Sequence, residues 1–329
     1  MRHFSSLAAA GDHLADGALA VGNFDGVHLG HRALLARALE LARARGARAG
    51  VLTFEPHPVR VLRPRLAPPL LTSLARKLEL LAGTGVDAAV VQPFDPAYAA
   101  TGAADFVARD LAGALGVRDV VVGWDFTAGH ERARVEALRP LLARHGIALH
   151  VVDPVAERGL TVSSTKIREF LLEGQVEAAA LLLTRPHDVD GRVVPGAGRG
   201  RGLGFATANV ATDLLLPGNG VYAVRAQVRP PGGGPWRRLD GVCNIGVKPT
   251  VEADARPGAE AHLFGHDGGD LYGASIRLAF PARLRDERRF PSLAALKAQI
   301  ASDAEQARAL LAALPDDGPG GGTSAPNLP

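Results

Sequence analysis

One cysteine, one methionine, four lysines and an aromatic content of 5% close several routes to function in this chain of 329 residues. Cys243 alone can form neither an intrachain disulfide nor a cysteine-rich zinc or iron–sulfur site, so it reads as a small packing residue in a reducing, cytoplasmic setting. No run of about 18 apolar residues is present, which excludes a transmembrane helix. The start, Met1-Arg2-His3-Phe4-Ser5-Ser6, lacks a charged segment followed by an apolar core, so no export signal and no membrane partner are expected. Lysine is scarce because arginine carries nearly all the positive charge, and a guanidinium fork suits phosphate. Those arginines are interspersed with acids, the formal net charge is only +3, and no basic stripe is interleaved with aromatics. Nucleic acid is therefore not an expected partner.

What is present is a chain 47% apolar and long enough for two cores. From Ala18 to about Pro186, short apolar runs alternate with helical patterns. The runs are Ala18–Val21, Ala49–Phe54, Ala88–Gln92, Val120–Val122 and Ala148–Val152. That alternation predicts an α/β unit, a parallel sheet wrapped by helices. In the first helical stretch Leu34, Leu35, Ala38, Leu41 and Ala42 share a face. After Arg185-Pro186 the texture changes to β-branched runs at Val221–Val228, Gly241–Gly246, Ala261–Phe264 and Ser275–Phe280, separated by Gly/Pro/Asp turns. This half reads as an antiparallel barrel or sandwich. Ser292 is placed to cap a closing helix whose Leu293, Leu296, Ile300, Ala307, Leu310 and Leu314 recur at helical spacing as core packing. The Pro/Gly/Asp-rich segment 315–329 has little to bury and reads as a disordered tail.

Three segments of the first half carry chemistry. Gly22-Asn23-Phe24-Asp25-Gly26-Val27-His28-Leu29-Gly30-His31 runs from a predicted strand into a helix, a junction whose free N–H groups and helix dipole favour an anion. His28 and His31, three apart, fall on one helical face and could donate to a polyphosphate; by spacing alone they equally suit a metal pair or two surface side chains. Ser163-Ser164-Thr165-Lys166-Ile167-Arg168 offers hydroxyls and a guanidinium near a helix start, where Ser163 or Ser164 could also cap. Gly123-Trp124-Asp125-Phe126 sits at a predicted strand end.

In the second half, the glycine-dense run from Gly196 to Gly204, with Arg201 inside it, matches neither a dinucleotide fingerprint nor a Walker A loop, since no lysine follows a glycine. Thr207 and Asn209 alternate, which puts both on one face of a strand as oxygen ligands for magnesium or as ordinary edge residues. Glu260 lies in an alternating strand pattern.

The histidine-bearing run resembles the signature of the nucleotidyltransferase superfamily. Gly191-x-Val193-x-x-Gly196, Leu203-Gly204-Phe205, Thr207-Ala208-Asn209, Asn244-Ile245-Gly246, Glu260-Ala261-His262-Leu263 and Leu284-Arg285-x-Glu287 occur in the order seen in riboflavin kinases. Together they resemble the bifunctional bacterial riboflavin kinase/FMN adenylyltransferase (FAD synthetase) family over about residues 15 to 312. The resemblance implies a Rossmann-like nucleotidyltransferase domain at 1–185 and a β-barrel riboflavin kinase domain with a closing helix at 186–314. It implies ATP as co-substrate, Mg²⁺, and riboflavin, FMN and FAD as substrates and products, and it leaves room for a weak homo-oligomer. By residue, it implies catalytic roles for His28, His31 and Glu260. Nucleotide contacts fall to Gly22, Asn23, Phe24, Asp25, Gly30, Ser164, Thr165, Arg168, Gly196 and Arg201, flavin binding to Asp125, and metal binding to Thr207 and Asn209. The chain departs from the family at Ala128, where a bulky residue is usual, and at Ala206, where proline is. The competing expectations are a paralogue with one module inactive or altered in substrate, and a flavin- or nucleotide-sensing regulator without turnover.

Overall fold

The computed structural model describes residues 1–196, 207–246, 257–266 and 271–315. Arg201, Ala206 and the predicted tail beyond Pro315 lie outside the described residues. The described residues form two compact units, one holding Met1–Pro68 and Leu74–Val162, the other Pro69–Ser73 and the described residues from Ser163 to Pro315.

The first unit is built on six parallel strands, β1 (Arg2–Phe4), β2 (Ala18–Val21), β3 (Ala49–Glu55), β4 (Ala88–Pro93), β5 (Asp119–Gly123) and β6 (Ala148–Val152), in the order β1-β4-β3-β2-β5-β6. Five of them coincide with the apolar runs. The edge strand β1 was not expected, since Arg2-His3-Phe4 is too short and polar to show a strand pattern. Alternation within each strand divides the core in two. Leu19, Val21, Leu52, Val90, Val120 and Val122 face one layer, and Ala18, Ala20, Val51 and Val121 face the other. Against the second layer pack helix α1 (Leu29–Arg45), through Leu34, Leu35, Ala38 and Ala42, and helix α2 (Leu74–Ala82), through Leu80 and Leu81. Helix α3 (Val135–Ala143) covers the first layer through Val135, Leu138 and Leu142.

The second unit begins with α4 (Ser164–Leu172) and α5 (Val176–Leu183) and continues into β7 (His187–Val194), β8 (Ala208–Ala211), β9 (Gly220–Arg229), β10 (Arg237–Gly246), β11 (Gly258–Leu263) and β12 (Ser275–Arg285). These six antiparallel strands close in the order β7-β8-β11-β10-β9-β12, with β12 pairing back onto β7. The β half is therefore a barrel and not a sandwich. Tyr222 and Phe280, both fully buried, meet edge to face in it, ring centroids 5.8 Å apart. Cys243 is buried as expected, and burial pushes its thiol pKa up, so it is inert.

The closing helix α6 (Leu293–Ala313) starts where predicted, Ser292 Oγ accepting from the Ala295 N–H at 3.1 Å. Its buried face is different. Ala304, Ala307 and Leu311 pack against Val221, Ala223 and Val242, while Leu293 is 66% exposed and Leu310 and Leu314 are also exposed. The predicted leucine stripe is thus only partly core. Buried residues occur only between Asp303 and Leu311, because a helix of this length, about 1.5 Å per residue, outruns the strands that cover it. Arg225 of β9 fastens the far end, donating to the carbonyls of Leu311, Leu314 and Pro315 at 2.6–3.1 Å, where the last carbonyls of a helix are left without donor partners.

Candidate active sites

In the first sheet β2 connects through α1 to β3 on one side, whereas the chain leaving β4 crosses over to place β5 on the other. A parallel sheet that reverses its strand order in this way opens a crevice at the carboxyl ends of the two central strands. Val21 ends β2 and Gly123 ends the adjacent β5. The Gly22–His28 loop follows the first, and Trp124 and Asp125 follow the second. Both side chains are exposed, and the Trp124 indole is 57% accessible.

The loop is strained. Phe24, Gly26 and Val27 all have positive φ, at +51°, +87° and +45°. Gly26 takes this without cost, but a β-branched valine there persists only when its surroundings hold it, and Val27 is fully buried. His28 is the N-cap of α1, its Nδ1 accepting from the His31 N–H at 3.3 Å. That bond fixes the tautomer: with Nδ1 an acceptor, the neutral ring carries its proton on Nε2 and presents a donor there. The two imidazoles stack at 3.6 Å and 17°, and the Phe24 ring lies 5.1 Å from His31. A Cβ on Gly30 would meet the His28 ring at 3.2 Å, so glycine keeps that ring in place.

His31 Nδ1 is buried without a hydrogen-bond partner. Desolvation, then the neighbouring His28 and Lys77, hold its pKa well below 6.5, so the ring is neutral at pH 7. The unfolded chain takes up this proton near pH 6.5 and the native chain does not, so stability is complete above that pH and falls as pH drops below it. The loss is at most about 1.4 kcal/mol per pH unit for one group. His31→Asn is therefore expected to flatten the decline in thermal stability between pH 6.5 and 5. An unchanged slope in melts across that range would show that the ring protonates normally.

Beneath the loop, Thr53 of β3 donates from Oγ1 to the Asn23 carbonyl at 3.1 Å, and Lys77 of α2 reaches Thr53 Oγ1 at 3.5 Å. Sequence reading missed both. An isolated threonine in a strand and a lysine in a helical pattern carry no signal until packing buries them. Asp25, 2% exposed, is a loop residue whose carboxylate acts electrostatically on Lys77.

The second unit holds Ser164, Thr165 and Arg168 in the first turn and a half of α4. Ser163 is the cap, its Oγ accepting from the Lys166 N–H at 3.1 Å, and Arg168 Nε donates to the Pro69 carbonyl at 3.0 Å. In the barrel, register puts Asn209 of β8 directly opposite Glu260 of β11, and Glu260 opposite Asn244 of β10. Opposite residues share a face, so the three polar side chains form one row across three strands, facing away from the buried Ala208, Val210, Ala259 and Ala261. Thr207 lies just before β8, two residues ahead of Asn209. Asn244 Nδ2 donates to Glu287 at 3.0 Å, extending the row. A Cβ on Gly196 would fall 1.9 Å from the Asn209 amide nitrogen, so only glycine leaves that amide where it is. The structure thus brings together Gly196, Asn209 and Glu260, and it adds Asn244 and Glu287, which the sequence shows only as members of longer motifs.

A FAD synthetase family model matches residues 12–166 and a riboflavin kinase family model residues 183–311. The bifunctional riboflavin kinase/FMN adenylyltransferase of Pseudomonas fluorescens is 40% identical over 294 residues, 89% of this chain and 92% of that protein. The chain belongs to the bifunctional riboflavin kinase/FMN adenylyltransferase family. The family member from Bacillus subtilis (strain 168) is 35% identical over 298 residues, covering 89% and 92%. A solved structure titled as a macrolide-efflux protein from Streptococcus pneumoniae superposes with a TM-score of 0.78 at 27% identity, over 93% of this chain and 98% of that one. Among the described residues no helix is long and apolar enough to cross a membrane. The N-terminal match of this family spans the histidine loop, and the C-terminal match spans the polar row.

Proposed function

We propose a division of labour, residue by residue, for the two transfers of this family. The chain is a transferase that phosphorylates riboflavin to FMN and adenylylates FMN to FAD, with ATP the donor in both. The functional division follows residues 1–185 and 186–314, in the order of the two family matches.

Adenylylation belongs to the crevice between β2 and β5. An FMN phosphate oxygen attacks the α-phosphorus of ATP, and the bond to the pyrophosphate oxygen breaks, leaving negative charge on pyrophosphate. Gly22, Asn23, Phe24, Asp25 and Gly30 shape the loop around that polyphosphate, and His28 Nε2–H and the His31 ring donate to it as the charge builds. Asp125 at the end of β5 orients the flavin substrate, and Ser164, Thr165 and Arg168 at the start of α4 offer hydroxyls and a guanidinium of the kind that suits nucleotide phosphates. The observation that carries this reading is the His28 cap: a helix N-terminus whose capping ring is held in the donor tautomer toward an anion.

Phosphorylation belongs to the polar row. Glu260 accepts the proton of the ribityl 5′-hydroxyl as its oxygen attacks the γ-phosphorus and ADP departs. Thr207 and Asn209 would hold a magnesium ion. The Asn209 amide oxygen opposite Glu260, with the Thr207 hydroxyl two residues earlier in the chain, suits a hard cation shared with phosphates, and the described residues hold no cluster of three His, Cys, Asp or Glu that would suit a transition metal. When bound, the ion offsets phosphate charge. The nucleotide contacts of this half are assigned to Gly196 and Arg201. Cytoplasmic residence is part of this reading, supported by a lone, buried cysteine.

Incubating the protein with riboflavin, ATP and Mg²⁺ and separating the flavins chromatographically should show FMN and then FAD; formation of neither sinks the reading. For the barrel site in particular, Gly196→Ala should displace the Asn209 amide and cut FMN formation by roughly 10–10²-fold with little loss of stability. Unimpaired FMN formation would remove Asn209 from the site.

A further inference from the structure

The buried groups of the first unit include one charge that the transfer chemistry above does not use. Lys77 is 4% exposed, and its ammonium has a single hydrogen-bond partner among the described residues, Thr53 Oγ1 at 3.5 Å. It makes no ion pair there. Asp25 and Glu55 act on it electrostatically without pairing, and burial lowers its pKa from the ordinary lysine value. A cation withdrawn from water without a paired carboxylate is a standing cost to the fold. The leucines of α2, Leu80 and Leu81, anchor the helix in the core and so hold Lys77 inward. Its partner is fully buried too, and Thr53 passes the contact on to the Asn23 carbonyl of the phosphate loop.

We propose that Lys77 is a positioning residue for adenylyl transfer: through Thr53 it braces the Gly22–His28 loop, and its buried charge, only partly offset by Asp25 and Glu55 in the free enzyme, is neutralised when a polyphosphate occupies the loop. The proposal rests on the assignment of this loop to the ATP phosphates. It explains why a costly group is kept under a strained loop: the cost is returned on ligand binding and becomes affinity for an anion. His31, whose pKa is held well below 6.5 by burial, could not supply that charge by itself at pH 7.

Lys77→Met in the full chain preserves the aliphatic volume and removes the charge. The ligand-free variant is expected to melt at or above the wild-type temperature, and the stabilisation of wild type by inorganic pyrophosphate with Mg²⁺ should disappear. The KM for ATP in FAD synthesis should rise by roughly 10–100-fold, the usual worth of hydrogen bonds to a charged group, with riboflavin phosphorylation within twofold of wild type. A merely structural lysine predicts the reverse, a lower melting temperature with the pyrophosphate shift intact. Failure of Lys77→Met to fold, or a wild-type pyrophosphate shift, or an unchanged KM for ATP, overturns the proposal. Lys77→Gln, which keeps a donor for Thr53 but no charge, should lose the pyrophosphate shift as fully; if it keeps the shift, the charge is not what the loop uses. If His28→Ala abolishes FAD synthesis while Lys77→Met leaves it intact, the loop assignment stands and only the role of Lys77 falls. If both leave FAD synthesis intact, the loop assignment itself falls.

Discussion

Glu260→Gln is expected to lower riboflavin phosphorylation by roughly 10²–10⁴-fold, the usual worth of a positioned general base. The substitution keeps the size of the side chain and a hydrogen-bonding end in the row formed with Asn209 and Asn244, so the barrel should melt as wild type does. ATP affinity should change little, because the amide removes a proton acceptor and not a phosphate contact. FMN supplied from outside should still be converted to FAD, since the histidine loop lies in the other compact unit. The measurement is FMN appearance from riboflavin beside FAD appearance from FMN, on the same preparation. Near-wild-type FMN production would take Glu260 out of the mechanism. An equal fall in both rates would point to a damaged fold instead.

The second large effect is at His28, where one ring has two tasks. Its Nδ1 caps α1, and the tautomer this imposes puts the donor on Nε2. His28→Ala removes both, so FAD synthesis should fall by roughly 10²–10³-fold, in the range of a lost oxyanion-type donor. The first unit should also lose about 1 kcal/mol of stability with the cap. Asparagine is among the best N-cap residues and keeps a donor, so His28→Asn should restore the stability and part of the rate. A metal-ligand role demands the opposite pattern, with alanine and asparagine equally damaging and zinc bound stoichiometrically in the purified protein. Elemental analysis showing such zinc, with FAD synthesis lost on its removal, would sink the donor role. Riboflavin phosphorylation should be unaffected in every case.

Much of both sites was legible before the structure because their signals are local. A strand running into a glycine-punctuated loop and a helix start needs only neighbours in sequence to suggest a candidate anion site, as the Gly22–His31 loop does. For Thr207 and Asn209 the two-residue spacing was the local signal. The leucine pattern of α6 misled for a related reason: helical periodicity shows which residues share a stripe, while the strands laid against the helix decide which part of the stripe is covered. Here Ala304 and Ala307 are covered and Leu293 is not. Lys77 gave no signal because a lysine in an amphipathic pattern is ordinarily solvated, and only the packing of α2 over β3 buries it.

The amino-acid sequence by itself determined the alternation that makes the first unit an α/β layer structure, the five apolar strands of its sheet, a serine cap at 163 or 164 and the cap Ser292, and the order of motifs in both halves. Each depends on interactions spanning a few residues, where periodicity and capping chemistry leave little choice. Only the tertiary structure decided that the second half closes as a barrel, since closure requires β12 to pair with β7 about ninety residues away in the chain. It also decided that Pro69–Ser73 joins the second unit, where Ser73 and Arg277 both reach Asp190. The alignment of Asn209, Glu260 and Asn244, the stacking of His28 on His31 under a fixed tautomer, and the burial of Lys77 were decided at the same level. Register, ring contacts and burial are set by which distant surfaces meet, and that depends on the packing of the whole unit.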